Sequence, residues 1–279
     1  MNSALVIGGA GFVGSNLVQR LVSNGVSVTS LDNYSTGQTE RHIDGCLYFA
    51  GEARDITGIG HCFERPDVVF HLGEYSRVEQ SVYEPVAAMS GTDAVTRVMQ
   101  FCKTSASKLV YTGSSTRFGD ASSPYSICKE KNAQMVEKMR KFLGIEAAVV
   151  YLYNVYGPGE IREGQYSTLI GRAIRAKEIG GCIKVTAPGT QRRNFTHVAD
   201  VVDGLIAVAK KGEGDGYGIG ADDDYSVLDV VKMIGCDYII GPRAKGNRMS
   251  AALKTEATKA LGWIAQRDLE SYIKEKINA

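Results

Sequence analysis

The sequence predicts an α/β protein: a parallel β-sheet covered by helices on both faces, followed by a smaller C-terminal region. Three observations predict it. Short, nearly unbroken apolar runs recur at residues 4–7, 26–31, 67–72, 108–112 and 147–152, the pattern of strands buried on both faces. Helix-length segments of mixed polarity separate them, among them residues 93–102 and 129–142, as expected for crossover connections between parallel strands. The first run also leads directly into Gly8, Gly11 and Gly14, a spacing that lets the chain turn tightly from strand into helix.

Taken in order, residues 12–22 carry helical periodicity, with Val13, Leu17, Val18 and Leu21 on or near one face. The texture changes after Asn154. Gly157-Pro158-Gly159 breaks the chain, residues 166–176 read as a helix and 183–186 as a short strand, and Pro188-Gly189 breaks it again. A helical pattern returns at 197–209, and residues 255–277 read as two short amphipathic helices around Gly262-Trp263. No internal repeat or low-complexity tract interrupts this order.

With 279 residues, 44% of them hydrophobic, the chain is long enough to bury a sizeable core. Lysine and arginine number 32 against 31 acidic residues, a formal net charge of +1. That balance gives no general attraction for a nucleic-acid polymer or an anionic membrane, so an anionic ligand must be held locally. The opening MNSALVIGGAG has neither a basic leader nor a long apolar segment, which predicts a cytoplasmic protein. The six cysteines are scattered, without a CxxC pair; they are expected to be reduced thiols, mostly buried, and no metal site is expected. Cys128 is singled out because it adjoins a candidate catalytic residue.

The glycines suggest what the local anion is. Lacking Cβ atoms, Gly8, Gly11 and Gly14 allow backbone to approach a pyrophosphate, and the helix opening at Phe12 and Val13 directs free N–H groups toward it. Asp32 follows the second strand, where a carboxylate can accept hydrogen bonds from both hydroxyls of an adenine ribose. A 2′-phosphate there would meet like charge, so NAD is expected over NADP. Asp55 and Ile56, after the next strand, are candidates to frame the adenine. The expected organisation is therefore an NAD-binding Rossmann domain over 1–155, with return segments around 194–220, and a mainly substrate-binding domain over 156–279.

Tyr125 and Lys129 form YxxxK at the start of a helix, and their spacing puts both side chains on one face. Upstream, Tyr111-Thr112-Gly113-Ser114-Ser115 sets hydroxyl groups just beyond a buried strand, at the edge where open α/β sheets bind ligands. A free phenol is a weak base near neutrality, its pKa being about 10. A neighbouring ammonium favours phenolate, so Tyr125 could accept a proton from a sugar alcohol as hydride leaves the same carbon. Lys129 would also hold the nicotinamide ribose, and Ser114 would align the reacting oxygen.

Together, GGAGFVG, Asp32 followed by Asn33-Tyr34-Ser35-Thr36-Gly37, FHL before residue 73, YxxxK and Tyr153-Asn154-Val155-Tyr156-Gly157-Pro158 resemble the extended short-chain dehydrogenase/reductase family, in particular its nucleotide-sugar epimerases and dehydratases. The resemblance spans almost the whole chain. It implies that Asn33 belongs to the cofactor site and that Asn154 contacts the nucleotide-sugar. Arg193, within Gly189-Thr190-Gln191-Arg192-Arg193-Asn194-Phe195, matches the arginine that grips the substrate diphosphate, and Arg243 or Arg248 would add a second contact. It further implies a homodimer paired through the helices over 92–101 and 133–143.

The sequence also departs from the family's pattern. Only residues 120–123 separate Gly119 from Pro124, where relatives carry a longer loop, and Tyr151 stands where many have an arginine. Gly73-Glu74 replaces a usual Ala-Ala pair, which is expected to put a carboxylate beside Ser76 in the sugar pocket. Ser115-Thr116 stand where dehydratases carry an acidic pair. The favoured reading is a 4-epimerase working through a 4-keto sugar. The alternatives are a 4,6-dehydratase with Glu74 as substitute base, a ketosugar reductase or dehydrogenase, and, in another class, a nucleotide-binding regulatory protein without turnover.

Overall fold

A computed structural model describes residues 1–119 and 123–278. The first half alternates strand and helix: β1 (Ser3–Ile7), α1 (Phe12–Ser23), β2 (Ser27–Asp32), β3 (Cys46–Ala50), α2 (Ile56–Ile59), β4 (Val68–His71), α3 (Val78–Tyr83), α4 (Pro85–Met89), α5 (Gly91–Ser105), β5 (Lys108–Ser114), α6 (Pro124–Leu143) and β6 (Ala147–Leu152). The second half runs β7 (Val155–Tyr156), α7 (Leu169–Glu178), β8 (Cys182–Thr186), β9 (Arg192–Asn194), β10 (Thr196–His197), α8 (Val198–Lys211), β11 (Gly214–Ile219), β12 (Asp224–Ser226), α9 (Val227–Ile234), β13 (Asp237–Gly241), α10 (Glu256–Ala260) and α11 (Leu269–Asn278).

Seven strands form one sheet in the order β11-β6-β5-β4-β1-β2-β3, and every pairing in it is parallel. This is the predicted Rossmann-type sheet. Side chains of one strand divide between its two faces: Leu5, Ile7, Val69, Leu109, Tyr111 and Val149 enter the core beneath α5 and α6, while Ala4, Val6, Phe70, Val110 and Val150 enter the core beneath α1 and α8. A third apolar cluster lies in the C-terminal region, where Ile170, Ile174, Val185, Val230, Ile234 and Ile273 bring α7, β8, α9 and α11 together.

Several elements escaped the sequence reading, and each for a physical reason. The edge strand β11 reads GDGYGI, a glycine-rich run without the apolar signature of its neighbours; backbone pairing with β6 makes it a strand. The segment between β4 and α5, with few apolar residues, folds into the short helices α3 and α4. Helix α7 begins three residues later than predicted because Thr168 caps it, accepting from the Gly171 N–H. Fewer cysteines are buried than expected: Cys102, Cys128 and Cys236 are buried, but Cys62 and Cys182 are exposed, the first in a short turn and the second at the start of β8. No helix among the described residues is long and apolar enough to cross a membrane.

The C-terminal tail is fastened to the sheet through Asp200, on α8. This buried carboxylate accepts from the backbone N–H groups of Gln266 and Arg267 at 3.1 and 2.9 Å and pairs with the Arg267 guanidinium. The Trp263 indole N–H donates to the Asp200 carbonyl at 2.8 Å. Removing one side of a buried charged network leaves the other unsatisfied. Asp200→Ala leaves two backbone N–H groups without their acceptor and should therefore lower the unfolding free energy by about 1–3 kcal/mol in denaturant titration; a change within about 0.5 kcal/mol, the range of an ordinary surface substitution, would show that the carboxylate does not hold the tail.

Candidate active site

The sheet order reverses between β1, which leads outward through β2, and β4, which leads the other way. Their carboxyl ends open a crevice of the kind where such sheets bind ligands. On one side of it stands the glycine turn. Gly8 has φ +86°, and a Cβ there would lie 2.8 Å from the Gly73 backbone; a Cβ on Gly14 would lie 1.9 Å from the Gly8 carbonyl oxygen. The turn can close only with glycine at both positions. Gly11 precedes α1, so the N–H groups of Phe12, Val13 and Gly14 begin a helix that faces the crevice.

Asp32 ends β2 and is 6% exposed. Its two oxygens accept from the Ala10 and Tyr34 N–H groups, each at 2.8 Å, which fixes the carboxylate against the glycine turn while each oxygen keeps acceptor capacity. Asn33 is exposed; its amide donates to both oxygens of Glu52 at 3.3 Å and its carbonyl oxygen accepts from the Ser35 N–H. Asp55 is exposed, whereas the Ile56 side chain is fully buried in the core. Any part Ile56 takes in framing an adenine therefore belongs to its backbone. Glycine cradle, helix start and anchored carboxylate fit a dinucleotide.

On the other side, β5 delivers Ser114 and α6 delivers Tyr125 and Lys129. Helix α6 starts sharply because Ser123 and Ser126 cap one another, each side chain bonding the other's backbone N–H, with Pro124 at the first turn. Ser114 Oγ accepts from the Thr116 N–H at 3.3 Å and from the Thr116 hydroxyl at 3.0 Å, so its own proton points elsewhere. Residues 120–122, part of the short connection noted in the sequence, lie outside the described residues.

The main correction concerns Glu74. Expected to face the sugar, its side chain is instead 4% exposed and paired with Lys129 Nζ at 2.5 Å. Its second oxygen accepts from the Asn132 amide at 2.9 Å, and Asn132 in turn accepts from the Thr92 hydroxyl at 2.9 Å. Lys129 also donates to the Thr112 carbonyl at 2.8 Å. Room for the carboxylate comes from Gly91, where a Cβ would lie 2.8 Å from Glu74 Oε1. Tyr125, Lys129 and Asn132 follow i, i+4, i+7 spacing on α6, a signal that could have placed Asn132 in the site from sequence alone.

Burial works against both charges of this pair, but each outweighs the other's penalty. Burial raises the Glu74 pKa, yet Lys129 brings it below the ordinary carboxylate range; burial lowers the Lys129 pKa, yet Glu74, with a smaller pull from Tyr125, lifts it above the ordinary lysine range. His71, fully buried beside them, has its pKa pushed down to about 4, mainly by burial, and is neutral at neutral pH. Burial likewise raises the Cys128 thiol pKa; with 4% exposure this cysteine is packing beneath the site.

The remaining candidates gather on the C-terminal side. Asn154 donates to the Asn194 carbonyl at 3.1 Å. Arg193 is fixed by the Asn247 side chain and the Arg248 carbonyl, both at 2.8 Å, and burial, with repulsion from Arg248, lowers its pKa to about 10. Arg248 is 8% exposed and donates to Ser115 Oγ at 3.1 Å. Arg243, by contrast, is exposed beyond β13, so of the two arginines offered as a second contact the structure brings in Arg248. Ser76 is exposed at the crevice side of β4. Tyr151 does not stand alone in its arginine-like position: its hydroxyl donates to Asp215 at 2.6 Å, and Arg117 contacts both.

The Glu74–Lys129 pair makes a signed prediction. The carboxylate's contribution is present above the ordinary carboxylate range, because its folded pKa is depressed, and is lost as pH falls through that lowered value. Glu74→Gln should cost about 3 kcal/mol of stability at neutral pH, and the deficit should shrink toward acid pH, where the parent loses the same charge. Denaturant titrations at several pH values check this; a deficit independent of pH would remove the ion pair as its cause.

Comparison with known proteins places this geometry. Residues 4–220 match the model of the NAD dependent epimerase/dehydratase family. The chain is 27% identical over 252 residues to UDP-N-acetyl-alpha-D-glucosaminuronate decarboxylase of Bacillus cytotoxicus, covering 82% of this chain and 78% of that protein. It is 27% identical over 301 residues to a putative UDP-glucose 4-epimerase of Methanocaldococcus jannaschii, covering 98% and 97%. The crystal structure of UDP-glucose 4-epimerase with UDP-glucose from Thermotoga maritima superimposes with a TM-score of 0.92 at 25% identity, covering 99% of this chain and 97% of that one. The glycine cradle beside an anchored Asp32, the YxxxK helix and a family match over most of the chain have one explanation: the protein belongs to the NAD dependent epimerase/dehydratase family.

Proposed function

We propose that the protein is an NAD-dependent nucleotide-sugar 4-epimerase, passing its substrate through a 4-keto sugar. Gly8, Gly11 and Gly14, with the N–H groups of Phe12 and Val13, would hold the cofactor pyrophosphate, and Asp32 the adenine ribose. The chemistry that NAD supplies when bound is reversible hydride acceptance at the sugar carbon.

The chain's own residues manage the proton and the pose. Tyr125 takes the proton of the C4 hydroxyl and later returns one. Lys129, kept charged by Glu74, favours the phenolate form that this requires. Ser114, whose acceptor sites are engaged by Thr116, has its proton free to donate to the reacting oxygen. Asn154 contacts the nucleotide-sugar, and the facing arginines Arg193 and Arg248 hold the diphosphate, which planar guanidinium groups suit.

The observation that carries epimerisation over dehydration is the place of Glu74. Elimination across C5 and C6 needs a further acid/base pair, for which Glu74, Ser115 and Thr116 are the candidate positions. Glu74 is committed to Lys129 and Asn132, and the positions that would supply an acidic pair are Ser115 and Thr116, one accepting from Arg248 and the other donating to Ser114. The redox set is Ser114, Tyr125 and Lys129, and neither Glu74 nor positions 115 and 116 offers a free carboxylate as the elimination base.

Incubation with NAD and nucleotide-hexoses in deuterated water should give an isomer inverted at C4 without deuterium at C5, read by NMR and mass spectrometry. A dehydrated product with deuterium at C5 would defeat the proposal. Tyr125→Phe should reduce turnover by about 10² to 10⁴ while NAD binding persists, because the proton carrier is lost and the ring is kept.

A further inference from the structure

Arg77 is a partly buried cation that the chemistry above does not use. It immediately precedes α3, on the loop that leaves β4 beside Glu74 and Ser76. One terminal nitrogen donates to the Tyr166 carbonyl, on the loop before α7. The other reaches only the adjacent Ser76 carbonyl, at 3.5 Å. Its Nε is buried and has no hydrogen-bond partner among the described residues. None of the ion pairs among the described residues includes Arg77.

Its place in the fold shows where it faces: Arg77 opens α3, which packs against α6, the helix whose first turn carries Tyr125. Burial lowers the Arg77 pKa, and the groups that act on it next are the Tyr125 hydroxyl, the Arg172 guanidinium and the Tyr166 hydroxyl. Tyr75, two residues before Arg77, and Tyr166, whose carbonyl Arg77 bonds, meet edge to face with ring centroids 6.4 Å apart.

A guanidinium out of water with neither a carboxylate nor a full set of acceptors is costly, and such a group is retained where a ligand anion completes it. A nucleotide-sugar offers its diphosphate and any acid on the sugar. The diphosphate is claimed by Arg193 and Arg248 on the C-terminal side, whereas Arg77 lies at Tyr125, the reacting end. An anion there must sit on the ring next to C4, and the carboxyl group that a hexose carries on C5 when its C6 is oxidised is in that place.

We propose that Arg77 is a specificity residue that pairs with a sugar carboxylate, so that the preferred substrate is a nucleoside-diphospho-hexuronate and not the neutral hexose. This rests on the nucleotide-sugar reading above. The planar fork of Arg77 matches a carboxylate's two oxygens, which a lysine in the same place would not reproduce.

The test is calorimetric titration of the full-length, NAD-loaded protein with UDP-glucuronate and with UDP-glucose. The parent should bind UDP-glucuronate more tightly by on the order of 10- to 100-fold, the usual worth of a charge-assisted hydrogen-bonded pair. Arg77→Gln should collapse that ratio toward one, and Arg77→Lys should keep part of it. Equal or tighter binding of UDP-glucose by the parent, binding of neither compound, or an Arg77→Gln protein with the parent's discrimination would each overturn the inference. The parent comparison decides even if a variant fails to fold. Products of the same mixtures, read by NMR, keep the two claims apart: preferential UDP-glucuronate binding with loss of carbon dioxide would defeat the epimerase reading and leave Arg77's role standing.

Discussion

The site is organised around one buried ion pair. Lys129 comes from α6, Glu74 from the loop after β4, and the Thr112 carbonyl that completes the lysine from β5. Three elements on the sheet's carboxyl edge are thereby tied through a single ammonium. Neither charge is tolerable in that place without the other, since an unpaired buried ion costs several kcal/mol. Asn132 donates to the remaining carboxylate oxygen, and Thr92, donating to Asn132, extends the tie to α5. The lysine's height and its charge are thus set before any ligand arrives, and so is the electrostatic setting of Tyr125.

This arrangement also divides labour among cations. Lys129 is paired internally with Glu74, which keeps it charged. On the C-terminal side Arg193 is held by Asn247 and by the Arg248 carbonyl, and Arg248 donates to Ser115 Oγ. Arg77, at the start of α3, has two carbonyl partners, Tyr166 and the adjacent Ser76, and an unpartnered Nε. A protein of net charge +1 has no surplus field to draw anions in, so under the proposed function an anionic substrate would depend on these few guanidinium groups.

The sequence carried the sheet and the cofactor cradle because both rest on local rules. Doubly buried strands read as apolar runs, and Gly8 and Gly14 are required by contacts with backbone that no other residue could accommodate. Strand β11 was illegible because its apolar content is low and pairing alone makes it a strand. The site was legible in its helix, where spacing aligns Tyr125 with Lys129, and illegible wherever a side chain's direction mattered. Position 74 reads as a carboxylate near the sugar; that it turns inward depends on Gly91 leaving space and on Asn132 and Lys129 waiting there. Arg77 was not among the candidate site residues, because its meaning lies in the acceptors its Nε lacks.

The central claim is that the sugar's C4 hydrogen leaves and returns within one closed site organised on that pair. A nucleotide-sugar deuterated at C4 tests it most directly. The account predicts that the deuterium remains at C4 of the inverted product, with turnover slowed by the heavier isotope if transfer limits the rate. Inverted product whose C4 carries hydrogen from solvent would contradict it, because the proton chemistry of Tyr125 would then be acting on carbon and not on oxygen.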